Sequence, residues 1–155
     1  MRWAIATIVL LVIAGVPAAM AAKKDMKEAP GKAAVAKAGA KATFQKDNAA
    51  THTFASGKSV TFVPCDIGHL NEEEFARGAV IGKLELQKGS KDGLEPGVYR
   101  VFLRKPGNHW QAFFCQDDKP VACAEDVQAG LDNEHKPKFV DAGTAIRYGW
   151  FKFSY

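Results

Sequence analysis

The chain has 155 residues, with an apolar share of 47%, a charged share of 25% and a formal net charge of +4. That length suits one domain behind short leading segments and excludes two full domains. The charge is concentrated: Ala22 to Lys41 carries six lysines against Asp25 and Glu28, while Ala42 to Tyr155 is near neutral. A basic tail on a near-neutral body excludes a nucleic-acid-binding face on the folded part.

Residues 1–21 read as a secretory signal peptide. Arg2 is followed by an apolar run from Trp3 to Val16, a break at Pro17, and small residues around Met20. That layout marks an export signal cleaved after Ala21, and the run falls short of the roughly twenty residues of a membrane-spanning helix. The mature protein is therefore expected in the periplasm or outside the cell, where thiols can oxidise.

Residues 22–50 form an Ala/Lys-rich segment interrupted by Pro30-Gly31 and Gly39, with Met26, Val35 and Phe44 as its sizeable apolar side chains. Such a composition predicts a flexible, disordered tail, because it cannot bury enough apolar surface to offset ordering entropy. Its lysines suit a weak, salt-sensitive contact with an anionic envelope surface.

Residues 51–155 read as a single all-β domain. Short runs rich in Val, Phe, Tyr, Leu and Ile alternate with Gly, Pro, Asp and Asn clusters. Ser59–Val63 and Val98–Arg104 alternate with period two, and Val80–Gln87 places Val80, Gly82, Leu84 and Leu86 on one face. Asn71 is an N-cap for a short helical turn through Arg77, with Glu72, Glu73 and Glu74 near its positive end. Pro106-Gly107-Asn108 turns the chain into a strand from Trp110 to Cys115, and Ile146–Tyr155 reads as one last aromatic strand. Ala124–His135 fits either a further strand or a loop with a short helix. The expected fold is a small antiparallel β-sandwich of immunoglobulin- or transthyretin-like size. The stretch Gly93-Leu94-Glu95-Pro96-Gly97-Val98-Tyr99-Arg100-Val101 resembles the strand-entry junction of transthyretin-like and carboxypeptidase-regulatory-like sandwiches. The resemblance implies a sandwich and carries no activity with it.

Three cysteines remain after export: Cys65, Cys115 and Cys123. If Asp118-Lys119-Pro120 is a three-residue loop, Cys115 faces Cys123 across a hairpin, which predicts a disulfide pinning its register. Cys65 and His69, four residues apart beside Pro64 and Gly68, are candidates for a metal or redox centre. The four histidines otherwise stand singly, and no phosphate loop or nucleophile elbow occurs, so no cofactor and no catalysis are expected. Trp110, Tyr148 and Trp150 are candidate binding residues. Aromatics on both faces of their strands mean either burial on both sides or an exposed aromatic platform. The reading is an exported, non-catalytic binding or structural module whose partner is an unidentified protein or an envelope glycan. Its alternative is a Cys/His-centred metal-binding or redox protein.

Overall fold

A computed structural model describes residues 26, 28–90, 93–124 and 126–155. The expected signal peptide, residues 1–21, lies outside the described residues. The chain forms an all-β sandwich of two antiparallel sheets. The first sheet is a meander of six strands in chain order: β1 (Ala50–Thr53), β2 (Ser59–Pro64), β3 (Ala79–Leu86), β4 (Gly97–Arg104), β5 (Gln111–Gln116) and β6 (Lys119–Cys123). The second comprises β7 (Val127–Gln128), β8 (Glu134–Val140), β9 (Ala145–Gly149) and β10 (Phe151–Ser154), in the order β7-β10-β9-β8. Among the described residues two α-helices accompany them, α1 (Lys32–Ala40) and α2 (Glu72–Arg77). The segment Ala124–His135, open in the sequence, holds β7 and the start of β8.

The core between the sheets follows from period-two patterning. Phe62, Leu84, Val101, Leu103 and Phe114 point inward from the first sheet and meet Ile146, Tyr148, Phe151 and Phe153 of the second. Phe62 spans the interface, its ring 5.9 Å from both Tyr148 and Phe153. The simple alternation expected for β3 breaks at one point. Val80 pairs with Phe102 but Gly82 pairs with Val101, so Ile81 is an extra residue. This bulge shifts the period by one and turns Val80 to the outer face, away from Leu84 and Leu86.

The outer face of the first sheet is also apolar. Val80, Phe102, Phe113, Cys65, Cys115 and Cys123 form a second buried cluster, capped by Val35 of α1. Here the expectation of a flexible tail reaching Ala50 is corrected for its described part. Helix α1 lies on the sheet with Val35 fully buried. Phe44 bridges to Cys65 through the backbone, Gln45 donates to the Pro64 carbonyl at 2.8 Å, and Arg104 donates to the carbonyl of Glu28. The tail's own apolar side chains are too few to form a core by themselves. The sheet supplies the complementary surface, on which Met26, Ala29, Ala38, Ala42 and Phe44 pack around Val35.

All three tyrosines have raised pKa values. Burial pushes the phenols of Tyr148 and Tyr155 from 10.0 up to about 12. Burial and the nearby Glu95 carboxylate raise Tyr99 as well. A raised phenol favours the neutral form in the folded state. Its stabilisation is complete below the unfolded value of 10.0 and is lost as pH rises from there towards about 12. Tyrosinate absorbance is therefore expected to show no titration step centred at pH 10 while the fold persists. It should appear together with loss of circular dichroism in alkali, and a normal step preceding unfolding would contradict this burial.

Candidate functional site

The aromatic candidates sit at one end of the sandwich, and α2 organises them. Asn71 Oδ1 accepts a hydrogen bond from the Glu74 backbone N–H at 2.8 Å, as its N-cap position predicts, and Glu72, Glu73 and Glu74 occupy the first turn. The helix presents one buried side chain, Phe75. Its ring centroid lies 6.3 Å from Trp110, 6.0 Å from Trp150 and 5.6 Å from Phe151. Trp110 meets Phe151 at 4.8 Å, and Lys105 Nζ lies 5.6 Å from the centre of the Trp110 ring. Trp150 is 40% exposed, while Trp110 is half-buried. The structure therefore brings Trp110 and Trp150 into one aromatic cluster with an outward indole and a neighbouring ammonium.

Tyr148 does not belong to it, which corrects its place among the binding candidates. The stretch Ile146–Tyr155 is a hairpin and not one strand. Tyr148 pairs with Phe151, so Gly149 and Trp150 form the two-residue turn, with Gly149 at φ 56°. Only glycine adopts that conformation freely, and it ends the alternation that had placed Tyr148 beside Trp150. Tyr148 instead faces the core and donates from its hydroxyl to the Cys65 carbonyl at 2.5 Å. Phe75 was missed by the sequence reading. Its signal was a lone aromatic inside an otherwise charged helical turn.

The expected Cys115–Cys123 staple is corrected by register. The turn holds two residues, Asp117 and Asp118 at φ 49° and 66°, so Gln116 pairs with Lys119 and Cys115 with Pro120. A bulge after Phe114 then sets Cys123 opposite Phe113, and the cysteines are not at disulfide distance. All three nevertheless share the outer-face cluster under α1. Burial pushes the Cys65 and Cys115 thiols up to about 12, with Arg100 pulling the other way on both. Such thiols stay protonated at neutral pH and are poor nucleophiles or metal ligands.

His69 is exposed, its Nδ1 3.7 Å from Asp66 Oδ2, while Cys65 is 1% exposed beneath α1. The two are not brought together as one centre. Among the described residues no group of three His, Cys, Asp or Glu side chains is placed to hold a metal ion. No helix among them is long and apolar enough to cross a membrane. Comparison with protein families, curated proteins and solved structures finds no match to this chain.

Proposed function

We propose that this protein is an exported, non-catalytic binding module whose contact surface is the Trp110–Trp150 cluster. The observation that carries the reading is the outward indole of Trp150, 40% exposed and backed by buried Phe75 and Phe151. A rigid aromatic on a packed foundation loses little entropy on binding and presents an apolar face to sugar rings or to an apolar protein patch. Lys105 beside Trp110 adds a positive rim suited to acidic envelope glycans. The leading segment, read as a signal peptide, supports a periplasmic or extracellular setting for this surface.

The test uses the three-tryptophan composition of the chain. Trp3 falls in the segment read as a cleaved signal peptide, so intrinsic fluorescence of the mature protein reports only on Trp110 and Trp150. Titration with envelope glycans and envelope protein extracts is expected to shift that emission saturably. Trp150→Ala should weaken binding about tenfold or more, as loss of a central aromatic anchor does. Emission unchanged across the whole panel would remove the reading.

A further inference from the structure

A cavity of about 590 Å³ lies between α1 and α2, against the start of β3. Its size falls within the roughly 300–1,000 Å³ range of small-molecule sites. Its floor is apolar, with Ala38, Leu70 and Val80. Three cations reach it from the ends of two helices: Lys37 in the last turn of α1, Lys41 at its C-cap and Arg77 in the last turn of α2. Among the described residues no carboxylate lies within 4.0 Å of any of the three. Two acids, Asp66 and Glu74, also line the cavity, so three cations stand against two carboxylates. Lys37 and Lys41 stand one helical turn apart, a like-charge spacing that costs helix stability unless an anion lies between them.

We propose that this cavity binds an anionic amphiphile with a single short apolar chain. The head, a carboxylate or a phosphate monoester, sits among Lys37, Lys41 and Arg77, and the chain lies on Ala38, Leu70 and Val80. Guanidinium and ammonium groups together suit either head, since Arg offers a planar fork and Lys a compact charge. The proposal does not depend on the tryptophan cluster, which lies on the opposite side of α2 through Phe75.

The test follows alanine methyl NMR signals of the full chain titrated with decanoate, decyl phosphate and decanol below their aggregation concentrations. Saturable shifts at Ala38 and Ala42 are expected with at least one of the two anions, and the tighter of the two identifies the head group. Decanol should bind about tenfold more weakly, the loss expected for a missing charge-assisted contact. Lys37→Glu/Lys41→Glu and, separately, Arg77→Glu should each weaken the anion about tenfold. All three positions are exposed, so the fold is expected to survive, and the remaining methyl signals check it. Trp150→Ala should leave the affinity unchanged. Failure of both anions, equal binding of decanol, indifference to both charge reversals, or loss of binding in Trp150→Ala would overturn the proposal.

Discussion

Phe62→Ala is expected to lower the unfolding free energy by about 3–5 kcal/mol, a large share of the roughly 5–15 kcal/mol available to a domain of this size. The side chain is fully buried and touches aromatic rings of the opposite sheet at two points. Its removal leaves a void that neither sheet can close without repacking both. The neighbouring position has the opposite constraint. A Cβ on Gly82 would overlap the tip of the Phe62 ring and come within 2.7 Å of the Val63 carbonyl. Gly82→Ala should therefore cost about 1–3 kcal/mol by overpacking. Because the two sites share one space, the double variant should lose less than the sum of the singles. Urea denaturation of the four proteins measures this cycle, and strict additivity would show that ring and glycine are not in contact.

Val35→Asp is expected to release α1 while the sandwich stays folded. Val35 is the helix's buried residue, and a carboxylate in its place would be desolvated without a partner. The helix itself is weakly built: Gly31 offers no side-chain cap, Gly39 weakens its interior, and only Ala38 joins Val35 on the cluster. The inter-sheet core contains no residue of α1, so its denaturation midpoint should move little. The Cys65 and Cys115 thiols would gain solvent, and their pKa values would fall back from about 12 towards 9.0. Iodoacetamide labelling at neutral pH should accelerate at least about tenfold, the change given by about 1.4 kcal/mol of local opening. Labelling as slow as in the parent protein would mean that α1 is not what shields these sulfurs.

The parts of the fold legible in the sequence are those governed by local chemistry. The strands Ser59–Pro64 and Gly97–Arg104, the Pro106–Asn108 turn with Gly107 at φ 76°, and the Asn71 cap all appear where residue type dictates them. What stayed hidden depends on a single residue's register or on a partner remote in sequence. The Asp117-Asp118 turn and the bulge after Phe114 move Cys123 away from Cys115, and composition cannot choose a two-residue loop over a three-residue one. Gly149 converts one apparent strand into a hairpin, which separates Tyr148 from Trp150. Val35 looked isolated because its partners Phe102, Phe113 and Cys123 lie more than sixty residues downstream. The same applies to the aromatic cluster: Trp110 and Trp150 were visible as candidates, but Phe75 joins them only once α2 is placed against both hairpins.

The strand orders of the two sheets imply two different folding regimes. Every ladder of the six-stranded sheet joins strands consecutive in the chain, so each hairpin can close as soon as its second strand exists, with little loop entropy to overcome. In the four-stranded sheet β8–β9 and β9–β10 close the same way, but β7 does not pair with the strand that follows it: its ladder is with β10, the last strand. β7 therefore has no partner until residues more than twenty positions later arrive. A chain emerging from its N-terminal end would assemble the meander progressively, with its inner apolar face uncovered, and seal that face in one late step. The interval between these events is when the molecule is most exposed to aggregation and proteolysis, and its length is set by the closure of β10.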